Sequence, residues 1–328
     1  MNTEIAEVMQ NKNMYELAAK TAAKVALDSE DKEVVSTLDA WAKEIGKKGY
    51  DKEHQIAAFI QTVIEERFAE YPNELLDMMF ERGNIGEFDS YEIYGTPKNT
   101  LKAIECAKGG NVDRSFLDIP VLAPQFHNRQ VESDISYIDI RRNGWKTIAL
   151  LTDYAVKALE NAMFADALAA VDAAITSGAA NYITEATAAV TQTSADALAL
   201  YLHDRAEGDC VIVALSKYIQ QMSKLTGFAS DDMKSEVNQY GFLGKYDGIP
   251  MWRVSGQRTY DGTNLILPDK RVFGFAGKIG VLDMRGDVHT YQSDDIDNER
   301  IHIKVADFNY GIAFNETAAL DAAKIVTA

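Results

Sequence analysis

Gly208-Asp209-Cys210-Val211-Ile212-Val213-Ala214-Leu215, running straight into Ser216-Lys217-Tyr218-Ile219 and on to Gly227, is the stretch on which the fold turns. An unbroken apolar run bounded by Gly208 and Ser216 predicts a strand buried on both faces. Ser216 has the chemistry of a helix N-cap, so residues 217–226 are predicted as a helix that Gly227 ends. Asp247-Gly248 then supplies a tight-turn pair between Gly244–Asp247 and Ile249–Val254. Further short apolar runs at Asn264–Leu267, Val272–Phe275, Lys278–Leu282, Arg300–Val305 and Tyr310–Phe314 make the last third of the chain mainly β.

Upstream of that stretch the period changes. Thr152 is a candidate N-cap for a helix over Asp153–Thr176, which runs without Pro or Gly until Gly178. At ~1.5 Å per residue it is a rod of roughly 36 Å, rich enough in alanine to let neighbours approach closely. Ser194 caps a further predicted helix, Ala195–Arg205. Residues 96–148 have a different texture, punctuated by Pro97, Gly109-Gly110, Pro120 and Pro124, with strand-like runs at Phe116–Ile119 and Ser133–Arg142. Ser133–Arg142 places apolar residues on both faces, which outside a parallel sheet predicts an external partner. Asn143-Gly144 then has the composition of a tight turn, beyond which Trp145–Leu151 continues apolar, and residues 96–148 read as a long β excursion in the form of a hairpin. Residues 1–95 read as helices at Met14–Val25, Lys32–Ile45, Asp51–Glu70 and Glu74–Arg82, with Gly46 and Gly49 stopping the second. Their heavy acidity predicts an arm or accessory bundle outside the central core.

The chain has 328 residues and a formal net charge of −17. Such a surface repels phosphate backbones and argues against nucleic-acid binding that lacks a local basic patch. The charge is uneven: residues 1–95 hold 20 acids against 10 bases, whereas residues 96–146 hold 6 against 8. A slightly basic segment in an acidic chain fits one that lies on a neighbouring copy, and Arg114, Arg129, Arg141, Arg142 and Lys146 suit contacts to that copy's carboxylates. No run is long and apolar enough to span a membrane, and Met1-Asn2-Thr3-Glu4-Ile5 does not open a signal peptide. Cys106 and Cys210 stand in unrelated contexts, which predicts plain thiols in a reducing cytosol.

Chemistry finds little purchase. Gly274-Phe275-Ala276-Gly277-Lys278-Ile279 has the wrong spacing for a phosphate loop, with Ile279 where a hydroxyl is needed. Asp294-Asp295-Ile296-Asp297-Asn298-Glu299 offers oxygen ligands for a hard cation but lacks an EF-hand's glycine and distant glutamate. His54, His127, His203, His289 and His302 are scattered, with His289 and His302 positioned to meet across a hairpin but not at a zinc-site spacing. The expectation is no catalytic, cofactor-binding or metal residue, no cofactor, and no enzyme.

The order Asp209–Leu215, Ser216–Gly227, then Gly241-Phe242-Leu243-Gly244-Lys245-Tyr246-Asp247-Gly248-Ile249-Pro250-Met251 resembles the axial domain of Hong Kong 97-type major capsid proteins of tailed bacteriophages. Leu265–Gly274 is similar to that family's following strand and turn, and Ile301–Val305 with Asn309–Phe314 to its closing strands. The resemblance covers residues 96–328 and is best over 208–315. It implies an α+β capsid fold: a helical N-terminal arm or accessory region at 1–95, an extended β loop at 96–148, a spine helix and peripheral domain at 149–207, an axial domain at 208–290, and closing strands at 291–328. It also implies self-assembly through hexamers and pentamers into an icosahedral shell around DNA, without sequence-specific binding. Scaffold, portal or decoration proteins are candidate partners, with synthesis in a host bacterial cytoplasm and residence in the virion. Two other readings remain open: an encapsulin-like nanocompartment shell, and a metal-dependent enzyme built on the 294–299 loop.

Overall fold

The computed structural model describes residues 13–48, 54–69, 74–89, 93–94, 101, 103, 105, 121–122, 124–206, 209–225, 244–257, 259, 261–295, 297–315 and 319–328. Three helices open the described chain: α1 (Met14–Ala22), α2 (Ser29–Lys48) and α3 (Gln55–Ala69). Their apolar stripes are those the spacing predicts, but they are not accessory. Met14, Leu17, Leu38, Trp41, Ile56, Phe59 and Val63 are buried in the same core cluster as the sheet residues downstream. Acidity on the outer faces was a property of their solvent side and carried no information about what the inner stripe packs against. Helix α2 also passes through Gly46, where a Cβ would come within 3.0 Å of the Arg141 backbone nitrogen. Gly46 therefore marks a close helix crossing, not a stop.

A six-residue helix, α4 (Glu74–Met79), leads directly into strand β1 (Phe80–Ile85), a segment whose Phe-Glu-Arg-Gly-Asn-Ile sequence gives no strand signal. After β2 (Ile93–Tyr94) and its antiparallel partner β3 (Val121–Leu122) comes β4 (Gln125–Ser136). The predicted strand over Ser133–Arg142 is corrected here. Strand character ends at Ser136, whose Oγ accepts from the Ile138 backbone N–H at 3.2 Å and so caps helix α5 (Tyr137–Asn143). The two-faced apolar pattern came from a change of period from 2 to 3.6 at Ser136: Tyr137 and Ile140 share the buried face of α5, and Ile138 points outward. No sister copy is needed to cover this segment, because β4 lies antiparallel along the chain's own β12 (Arg300–Phe314) from Ser136 to Gln125. The Phe116–Ile119 run lies outside the described residues.

Asn143-Gly144 is a helix junction and not a hairpin turn. Gly144 has φ +56°, and the Trp145 N–H donates to Asp39 Oδ1 of α2 at 3.1 Å, which starts helix α6 (Trp145–Ala174). A Cβ at Gly144 would lie 1.8 Å from that oxygen, so both the conformation and the contact require glycine. The apolar run Trp145–Leu151, read as far as residue 148 as part of the β excursion, is the first part of α6: Trp145, Ile148, Ala149, Thr152 and Val156 repeat at helical spacing and are all buried. Thr152 is not a cap but an interior residue, its Oγ1 donating to Ile148 O at 2.9 Å. With 30 residues the helix spans about 45 Å at ~1.5 Å each. It is buried on nearly all sides between α1, α2 and α3 and the sheet strands β4 and β12, which explains why two apolar stripes were visible in it.

Two sheets complete the fold. One joins β1, β10 (Gly280–Arg285), β12 and β11 (His289–Asp295), with β4 also on β12. The other has the order β5 (Tyr182–Thr184), β13 (Ala322–Val326), β9 (Arg271–Ala276), β6 (Cys210–Leu215), β8 (Ile249–Val254) and β7 (Lys245–Tyr246). Every residue of β6 is buried, as its continuous apolar run requires. Helix α7 (Gln192–Arg205) starts three residues earlier than predicted, with Thr191 as N-cap and Ser194 completing a reciprocal capping box. Ser216 is the first residue of helix α8 (Ser216–Met222), and its hydroxyl donates to Val254 O at 3.2 Å instead of capping. Val305 and Phe308 bracket a bulge in β12, so the two predicted closing strands are one. The sheets cut across positions 207/208 and 290/291: β5 and β13 lie with β6, whereas β10 lies with β12.

Candidate functional site

Helix α6 buries three acidic side chains, Asp153, Glu160 and Asp166, and holds a fourth, Asp172, partly exposed, and each has a cationic partner. Asp166, 8% exposed, faces β4 and β12. It accepts from Arg129 Nε at 2.8 Å, from Arg129 Nη2, and from the Tyr310 hydroxyl, with His127 Nδ1 at 3.5 Å. His127 stacks on Tyr310 at 5.5 Å between centroids. Burial first, then the Asp166 carboxylate, pushes the Tyr310 phenol well above its ordinary range, and the same carboxylate holds the Arg129 guanidinium charged. A cation, a phenol and an imidazole thus converge on one acid and lock the long helix to the sheet.

The other acids act likewise. Asp172 takes Lys324 Nζ at 2.6 Å and Arg271 Nε at 3.1 Å, which fixes β13 and β9 of the second sheet to the far end of α6. Glu160 takes Arg67 Nε of α3 at 3.1 Å, and that guanidinium lies 4.4 Å from the centroid of Tyr15 on α1. Asp153 accepts from Lys157 Nζ one turn on at 2.7 Å. Glu160, Asp166 and Asp172 brace α6 against other elements, whereas Asp153 pairs within the helix. Sequence reading passed over them, although an acid between Phe164 and Ala167 on a helix with two apolar stripes is a visible sign of a buried partner.

The residues singled out as candidates are dispersed by the fold. Arg129 is taken by Asp166, and Arg141 by Glu299 at 2.9 Å, so of the basic group Arg142 and Lys146 remain exposed together at the α5–α6 corner; Arg114 lies outside the described residues. Within the acidic loop, Asp294 accepts from the Tyr137 hydroxyl at 3.0 Å, and Asp295 accepts from the Asn298 backbone N–H at 3.1 Å and side-chain amide at 2.6 Å. Among the described residues no group of three or more His, Cys, Asp or Glu side chains is placed to hold a metal ion. His289 faces Ala306 in the ladder, and His302 faces Ser293 and Asp134, so the expected meeting of the two histidines does not occur. His203 Nε2 lies 3.1 Å from Asp247 O. Residues 274–279 end β9 and turn at Gly277 towards another strand, not into a helix that might cradle phosphate. Cys210 is buried, and burial raises its thiol pKa, the opposite of an activated nucleophile; Cys106 lies outside the described residues.

One cleft of about 480 Å³ opens between α3, α6, β1 and β10, with Phe68, Met163, Leu282 and Met284 on its walls and Glu65, Arg82 and Asp287 among its polar lining. The surface also shows isolated apolar side chains, Phe88, Ile138, Tyr154, Leu200 and Tyr291, each more than half exposed. No helix of the described residues is long and apolar enough to cross a membrane.

This architecture is a phage capsid fold. It matches the capsid of an empty GTA particle with a TM-score of 0.52 and 10% identity, covering 77% of this chain and 89% of that one. A structure from Gordonia phage Cozz matches with a TM-score of 0.50 and 12% identity, over 76% of this chain and 84% of that one. No curated protein sequence matches the chain. Over residues 3–320 the chain matches, and belongs to, the family described as "SPbeta prophage-derived putative capsid protein YonB".

Proposed function

We propose that this chain is the major capsid protein of a phage or prophage: copies of it assemble, as hexamers and pentamers, into a closed icosahedral shell that encloses DNA. The family match over residues 3–320 carries this reading, and the capsid fold supports it. The role is structural. Glu160, Asp166 and Asp172 of α6 serve bracing, which suits a subunit that must present the same surface to many neighbours. On this reading α6 is the spine, the sheet of β1, β4 and β10–β12 is the peripheral part, and the sheet of β5–β9 and β13 is the axial part. Helices α1, α2 and α3 act less as a detached arm than as a helical layer on the spine. The shell belongs to the virion and is made in the host cytoplasm, with scaffold, portal and decoration proteins as further partners. The encapsulin and metal-enzyme readings find no observation in their favour. Negative-stain imaging of the protein expressed alone tests the proposal. Closed shells, or rings of five and six subunits, are expected; a protein that stays monomeric at high concentration overturns it.

A further inference from the structure

A single imidazole touches both neighbours of the strand that carries it. His302 on β12 lies across the ladder from Asp134 on β4 and from Ser293 on β11. Its Nδ1 meets an Asp134 carboxylate oxygen, and its Nε2 lies 3.8 Å from Asp295 Oδ2 at the end of β11. A neutral imidazole has one N–H and one lone pair, so it donates to one of these acids and turns a lone pair towards the other. An imidazolium donates to Asp134 and turns a second N–H and its positive charge towards Asp295.

We propose that His302 is a proton-operated clasp, which as imidazolium ties the tip of β11 and the end of β4 to β12, and which on losing its proton frees the β11 side. The groups facing it are Asp134 and Glu132 from β4, Asp295 from β11, and Arg300 and Lys304 from β12 itself, with Arg300 Nη1 4.0 Å from Asp134 Oδ2. The hydrogen bond that His302 donates to the Asp134 carboxylate leads the factors that raise the His302 pKa above the ordinary histidine value, with Asp295 and Glu132 adding to it and loss of water opposing. A raised pKa in the folded state means that the clasp is closed at low pH and opens as pH rises through the raised value. Its reach extends beyond the three strands. The tip it secures also holds α5, through the Tyr137 N–H on Glu299 O at 3.0 Å, Arg141 on Glu299 at 2.9 Å, and the Tyr137 hydroxyl on Asp294 at 3.0 Å. The clasp therefore sets how firmly the exposed corner bearing Ile138 and Arg142 is held.

The test uses dilute, unassembled full-length protein with isotope-labelled histidine. His302 is assigned as the resonance missing in H302Q, and its titration is followed by NMR. Its midpoint is expected above the ordinary histidine value of ~6.5 and lower in D134N than in the unmodified chain. Backbone amide exchange over residues 293–303 is then compared between the unmodified chain and H302Q at each pH. Below the midpoint the unmodified chain is expected to be protected roughly two- to fivefold more, the range of an exposed ion pair, and above it the two should converge. A midpoint at or below the ordinary value, or a protection ratio that does not change with pH, overturns the clasp.

Discussion

Asp166 decides more than its size suggests, because three groups from two strands depend on it. Replacing it with Ala leaves the Arg129 guanidinium, the Tyr310 hydroxyl and the His127 ring without their shared acceptor, all at the face where α6 meets the sheet. Removing one member of a largely buried charge pair costs far more than the pair contributes on balance, since the survivor keeps its desolvation penalty. Arg129 keeps about a third of its side chain in solvent, so water offsets part of that penalty, and the expected loss is about 3 kcal/mol. Asp166→Asn keeps an acceptor and should lose less. In urea titrations the double variant Asp166→Leu/Arg129→Met should be more stable than Asp166→Ala, because no charge is left stranded. If Asp166→Ala unfolds at the same urea concentration as the unmodified chain, the keystone role is refuted.

At the scale of elements, the chain was legible wherever a segment held one period and one destination. The all-buried strand β6, the existence of a helix after it and the Asp247-Gly248 turn follow from local chemistry, and so does the existence of α6. Ends and changes of period were not legible: Ser136 closes a strand and caps a helix, and Ile135, Tyr137, Ile138 and Ile140 around it fit either reading. Strand β1 was invisible because its pairing with β10 is parallel and distant, so nothing near Phe80–Ile85 announces it. The bracing acids Glu160, Asp166 and Asp172 were hidden for a related reason, since their partners lie in other elements. Gly144 shows how local composition misleads: Asn-Gly is a hairpin signal, yet here Asp39 from α2 supplies the N-terminal acceptor for α6. Gly144→Ala puts a Cβ 1.8 Å from that oxygen at φ +56°, so Asp39 must withdraw and the helix start loses its only named cap. A loss of roughly 2 kcal/mol or more is expected, with faster amide exchange confined to α5 and the first turns of α6. An unchanged melting temperature would mean that the α5–α6 junction is not held in this way.

For the whole molecule, charge determines how copies meet. Each copy carries −17, so bringing many together costs repulsion that falls as salt shortens the screening length from ~30 Å at 0.01 M to ~8 Å at 0.15 M. Opposing this would be cross-copy pairs from the basic 96–146 segment, which the composition alone makes look substantial. The fold reduces that contribution. Of its described bases, Arg129 is committed to Asp166 and Arg141 to Glu299 within the chain, which leaves Arg142 and Lys146 exposed at the corner. Repulsion should therefore dominate, and assembly of purified subunits, followed by light scattering, should speed up as sodium chloride rises from 0.01 to 0.15 M, by about tenfold or more given the usual strength of electrostatic effects on association. Arg142→Glu should slow assembly most at the lowest salt. Assembly that is fastest at low salt and fades on screening would instead mean that attraction between unlike patches drives the shell, and that the segment's bases reach a neighbour after all.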